Sequence, residues 1–176
     1  MTTTNHLANS NNKLQILDQF TTSLSAVRKT EDALNYPTIA QQIRTVGEDD
    51  VIVMALGTIQ QGLSAFNVKN PMTNAQVEMF VMDFIEDYKH ESVADLKICL
   101  KNARNGVYGT HYQAIDQLTV MEWFGKYLDE KAMERERLHT RTKNKTIDKV
   151  TAQVYPALKD AVENIGKTSK NGLERK

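Results

Sequence analysis

Between residues 71 and 131 apolar and polar positions alternate with helical spacing through three successive segments. Val77, Phe80, Val81, Phe84, Ile85 and Tyr88 repeat at three-one-three-one-three, which predicts an amphipathic helix. Thr73 followed by Gln76 is a capping box at its start. Ser92 with Asp95 repeats that signal, and Val93, Leu96, Cys99, Leu100 and Ala103 form the next buried face until Gly106 stops it. Asp116 can cap a third helix, with Val120, Met121, Phe124, Tyr127 and Leu128 inward and Trp123 at the stripe's edge.

Upstream the pattern is looser. Leu14, Leu17, Leu24 and Val27 predict a helix over 13–28, interrupted by Tyr36-Pro37-Thr38. Thr38 can cap IAQQIRTV, which Gly47 would end. Glu48, Asp49 and Asp50 then favour a helix start, with Ile52, Ala55, Leu56, Ile59, Leu63 and Phe66 as its stripe. A strand over VIVMAL competes with that helix. Gly57 and Gly62 weaken it or mark close packing. Residues 1–12, rich in Asn, Thr and Ser, predict disorder.

Beyond Leu138 RTKNKT predicts a polar basic linker. Ile147, Val150, Val154, Leu158, Ala161 and Ile165 then recur at helical spacing, with Pro156 expected to kink or split the helix and Gly166 to end it. The expectation is an all-α fold: a small multi-helix bundle over 13–138, and over 139–176 a flexible, partly helical basic extension.

Composition sharpens this division. The 176 residues carry no net charge, yet residues 1–130 hold 10 Lys+Arg against 16 Asp+Glu, and residues 131–176 hold 12 against 6. An acidic body with a basic tail points to an anionic partner or to self-association through the tail. One cysteine, Cys99, excludes an internal disulfide and fits a reducing cytoplasm. No apolar run approaches the roughly 20 residues of a membrane span, and MTTTNHLANSNNK lacks a signal-peptide core. No membrane association or export is expected.

Candidate chemistry is thin. His6, His90, His111 and His139 stand apart, outside any zinc-ligand spacing. The Gly57–Gly62 segment lacks the lysine a phosphate-binding loop needs, because Leu63 and Ser64 follow. Asp83, Glu86 and Asp87 could hold Mg²⁺ but read as a solvated acidic face. No catalytic residue, metal or cofactor is expected. Lys97, Lys101 and Arg104 share a helix face, and Tyr108, His111 and Tyr112 follow, a basic-aromatic grouping that can bind a nucleic-acid strand. Arg135, Arg137, Arg141, Lys143, Lys145 and Lys149 can supply sequence-independent phosphate contacts. Ile147, Val150, Val154, Leu158 and Ile165 can instead enter a partner's groove.

The runs NVKNPMTNAQVEMFVMDFIEDY, VADLKICLKNARNGVYG and YQAIDQLTVMEWFGKYLDEK resemble a family of small helical proteins of phages, prophages and mobile elements, notably of Bacteroides-like bacteria. The landmarks are Pro71-Met72-Thr73, Asp95-Leu96, Gly106, Tyr108-Gly109, Tyr112, Asp116, Trp123 and Tyr127-Leu128, and the likeness covers residues 37–131. The family supplies no settled activity. The architecture is also similar to phage replicative-helicase loaders that lack an ATPase, although the basic tail departs from that pattern. The charge division and the family resemblance together lead to the expectation of a non-enzymatic adaptor in DNA metabolism in a bacterial host's cytoplasm. Its partner would be a replicative helicase or another phage protein, with DNA possible at the tail. The alternative is a virion component, or an oligomer built through residues 147–165.

Overall fold

The computed structural model describes residues 3–109 and 114–171, with side chains at 14–109, 114–151, 154–156, 158 and 159. Seven helices and no strand are present among the described residues. They are α1 (Thr3–Ala26), α2 (Thr30–Leu34), α3 (Ile39–Val46), α4 (Glu48–Ser64), α5 (Asn74–Asp87), α6 (Val93–Arg104) and α7 (Gln117–Asn171). The all-α expectation holds, and VIVMAL is helix.

Local signals set most boundaries. The Thr38 hydroxyl accepts from Gln41 N–H at 3.3 Å while Gln41 Oε1 accepts from Thr38 N–H at 2.9 Å. The same reciprocal pair forms at Thr73/Gln76 and at Ser92/Asp95. Gly47 adopts φ 100, which lets α3 stop and α4 restart at once. Gly106, at φ 81, completes a Schellman closure of α6: Val107 N–H donates to Asn102 O and Gly106 N–H to Ala103 O. At α2, a helix the apolar spacing did not predict, Asp32 Oδ2 accepts from the backbone N–H groups of Arg28 and Lys29. These bonds hold its carboxyl below the usual range. The first N–H groups of α3 donate outside their helix, Ile39 to Glu91 O at 2.7 Å and Ala40 to Lys89 O at 3.0 Å.

Two boundaries differ from expectation. The α1 helix begins at Thr3, within the stretch expected to be disordered. Asn, Thr and Ser cost a helix only a few tenths of a kcal/mol each relative to Ala, so they weaken propagation without stopping it. RTKNKT lies inside α7. That segment contains no Gly or Pro, and the hydroxyls of Thr142 and Thr146 donate to the carbonyls of Leu138 and Thr142, four residues back. Pro156 lies within α7 and Gly166 does not end it. The proline removes one backbone bond, and α7 continues on both sides of it.

The chain divides into two units, residues 1–134 and 135–176, within α7 and near the boundary read at Leu138. In the first unit α4 is central, packing against α3, α5 and α6. The core is aromatic on its α5–α7 side. The Phe124 ring lies edge-on to Phe84 at 4.8 Å and to Tyr88 at 4.9 Å, and Phe66 stacks on Trp123 at 5.4 Å. Trp123, placed at the stripe's edge by spacing, is 1 % exposed. A parallel bridge joins Asn70 to Ala114.

The glycines of α4 have opposite roles. A Cβ on Gly62 would stand 2.5 Å from Leu100 Cδ1 and 3.1 Å from its Cβ, whereas Gly57 has open space above it. Gly62→Ala is expected to destabilise by about 1–2 kcal/mol, overpacking exceeding the gain in helix propensity. Gly57→Ala should stabilise by about 0.5–1 kcal/mol. Urea midpoints of the two variants measure this, and equal shifts of one sign would contradict it.

Candidate interaction surface

Within the basic-aromatic grouping of residues 97–112, Lys97, Lys101 and Tyr108 are engaged inside the fold. Lys97 Nζ donates to Leu24 O at 2.5 Å and Ser25 O at 3.2 Å, and Lys101 Nζ donates to Arg28 O at 2.6 Å. Lys97 therefore closes the C-terminal end of α1, where unsatisfied carbonyls and the helix dipole favour positive charge, and Lys101 ties down the turn that follows it. Burial, then the charges of Arg28 and Lys101, lower the Lys97 pKa. Tyr108 is buried; its hydroxyl donates to Glu130 Oε2 at 3.3 Å and accepts from Asn102 Nδ2 at 3.4 Å. Of the grouping only Arg104 is an exposed cation, and His111 and Tyr112 lie outside the described residues. Lys97→Met with Lys101→Met is expected to speed hydrogen exchange in the last turn of α1 by about tenfold and to leave DNA affinity unchanged. A fall in DNA affinity without loosening of α1 would return these lysines to a nucleic-acid role.

A buried polar cluster lies where α6 meets α7. Asp95 is fully buried and accepts from Ser92 N–H at 2.8 Å, Ser92 Oγ at 2.7 Å, Tyr127 Oη at 2.7 Å and Lys131 Nζ at 2.7 Å. Lys131, 6 % exposed, also binds Glu91 Oε2 at 2.5 Å. Carboxylates, an amine and a phenol are the ingredients of proton transfer. Here each is committed to another, so the cluster fixes α7 against α6. Burial and the Asp95 charge push the Tyr127 hydroxyl far up. Cys99 is likewise buried, and burial, Glu130 and Asp95 raise its thiol, which disfavours the reactive thiolate. Sequence reading found Asp95 only as a cap. The missed signal is Lys131, which continues the inward series Val120, Phe124, Tyr127 at helical spacing.

Asp83, Glu86 and Asp87 are solvent-facing on α5, and Asp83 Oδ2 accepts from Gln117 Nε2 at 2.8 Å. Among the described residues no three His, Cys, Asp or Glu side chains group to hold a metal ion. A cleft of about 380 Å³ opens between α1 and α4, lined by Leu17, Leu24, Val53 and Met54, with Lys97 at its edge.

In the second unit Arg137, Arg141, Lys143 and Lys145 are exposed on α7, as are Ile147 (51 %), Val150 (52 %), Val154 (46 %) and Leu158 (59 %). The Ile165 side chain lies outside the described residues. At 100° per residue the four apolar side chains fall on one stripe, and Lys143 continues it one turn back. Arg137, Arg141, Lys145 and Lys149 step by four along a separate ridge. Comparison with known protein families, curated proteins and solved structures finds no match. No helix among the described residues is long and apolar enough to cross a membrane.

Proposed function

We propose that the protein is a non-enzymatic adaptor of phage or mobile-element DNA metabolism, with the 135–171 helical unit as its contact element. One observation carries this reading: Ile147, Val150, Val154 and Leu158 form a continuous apolar stripe on α7 that the rest of the chain leaves about half exposed. Full burial of a side chain of this size contributes about 1.5–3 kcal/mol, so four together favour occupation by a partner. The first unit, with its committed polar groups, serves as the scaffold. A photo-crosslinking amino acid at Val154, in the full chain within the bacterial cells that make it, tests the reading. A crosslinked polypeptide adduct is expected, lost when Ile147→Asp and Val150→Asp are added. Absence of any adduct would overturn it.

The ridge of Arg137, Arg141, Lys145 and Lys149 supports a second contact, with DNA. The ridge runs about 18 Å at 1.5 Å per residue and faces away from the stripe, so the two contacts do not compete. Neutralising all four to Gln should flatten the salt dependence of duplex binding by about 0.9 log unit for each lost phosphate contact. Equal, negligible binding by both proteins would remove the DNA contact and leave the adaptor.

A further inference from the structure

The outward face of α5 combines acid with exposed sulfur. Glu78, Met79, Met82, Asp83 and Glu86 are all exposed, Met79 at 65 % and Met82 at 58 %. At 100° per residue they span about 140° of the helix and run about 12 Å along it. They lie opposite Val77, Phe80, Val81, Phe84 and Ile85, which are buried. Two exposed methionines are an unbranched, polarizable surface that moulds to varied apolar partners. Three carboxylates around them select a basic partner. Gln117, bonded to Asp83, brings α7's first turn beside this face, where Leu118 is 68 % exposed and adds to the apolar area.

We infer that this acidic methionine face receives the basic, apolar-striped 135–171 helix of a second copy of the chain. The inference rests on the stripe being a contact element, as proposed above. Charge selects the pairing. Stripe against stripe would bring together two units that each carry 11 Lys+Arg against 5 Asp+Glu, with the two Lys143 ammonium groups in the seam. Stripe against α5 instead sets Lys143, which continues the stripe, against the Glu78, Asp83 and Glu86 carboxylates, and brings a unit of net positive charge to an acidic face. The stripe from Ile147 to Leu158 runs about 16 Å, enough to cover the methionines, with Lys143 one turn before its start. The charge division of the sequence is then the division between donor and acceptor surfaces, and association cancels it.

Sedimentation of the full chain across concentration and salt tests this, together with the Val154 photo-crosslink on purified protein. Concentration-dependent association, weakened by salt, is expected, with the adduct at twice the chain mass and mapping to the 74–87 peptide. Glu78→Lys with Glu86→Lys should weaken association at least tenfold, as should Val150→Asp with Val154→Asp. Adding Lys143→Glu to the α5 variant should recover part of it, a rescue that misfolding could not produce. A monomer at every concentration would overturn the inference. Loss of association in the stripe variant but not in the α5 variant would also overturn it, and would assign stripe-to-stripe pairing. A Val154 adduct to a different polypeptide in cells, with a monomer in solution, would end this inference but leave the adaptor reading. No adduct in either setting would end both.

Discussion

Lys131→Ala is expected to destabilise the folded chain by about 3–5 kcal/mol, because it leaves carboxylates without their buried counter-charge. Asp95 has no exposed surface through which to recover hydration, while Glu91 is 21 % exposed and does so in part. For a chain of this length that loss lowers the melting temperature by roughly 10 °C. Combining Lys131→Met with Asp95→Asn should cost less than the two single changes summed, by about 1 kcal/mol or more, since neither buried charge then lacks a match. Urea titrations of the four proteins complete the cycle. A Lys131→Ala protein within 1 kcal/mol of the parent would mean that water reaches the cluster after all.

Phe124→Ala should produce a loss of similar size, about 3–5 kcal/mol, through the cavity it opens. Its ring meets Phe84, Tyr88 and Tyr127 at centroid distances of 4.8, 4.9 and 5.8 Å, and it has no exposed surface. Phe124→Leu keeps apolar bulk but loses the edge-on ring geometry, which contributes about 0.5–1.5 kcal/mol per pair, and should fall between. Because domains of this size are stable by only about 5–15 kcal/mol, Phe124→Ala in the Lys131→Ala background should leave a substantial unfolded fraction at room temperature, visible by circular dichroism. A single-variant cost below 1 kcal/mol would show that the aromatic cluster repacks freely.

The helices most legible in the sequence are those whose termini carry their own chemistry. Thr38, Thr73 and Ser92 each stand three residues before a reciprocating Gln or Asp, and each starts a helix in the structure. Such bonds are local, so one chain read in order contains them. Side chains that act across the fold were harder to read. Lys97 and Lys101 look like a basic patch because spacing reveals a shared face but not the carbonyls of Leu24 and Arg28, some 70 positions earlier, that they bind. Lys131 was legible in principle, since a lysine in register with buried aromatics needs an acid beside it. The extent of α7 was misread because a basic, polar composition was equated with a linker. Lysine and arginine are good helix formers, and only glycine or proline would have given a local reason to stop before Pro156. The apolar stripe of residues 147–158 was visible because helical spacing alone sets it.

Glu91 has a consequence for how the molecule opens. Its carbonyl takes the first N–H of α3 and its carboxylate takes the ammonium of Lys131 on α7, so one residue ties two helices that are remote in sequence. Local openings follow such shared anchors and proceed as cooperative blocks. The start of α3 and the Lys131 turn of α7 therefore belong to one such block and are expected to open together. The short loop between α5 and α6 is thus a latch, holding the start of α3 and the Lys131 turn of α7 through one residue.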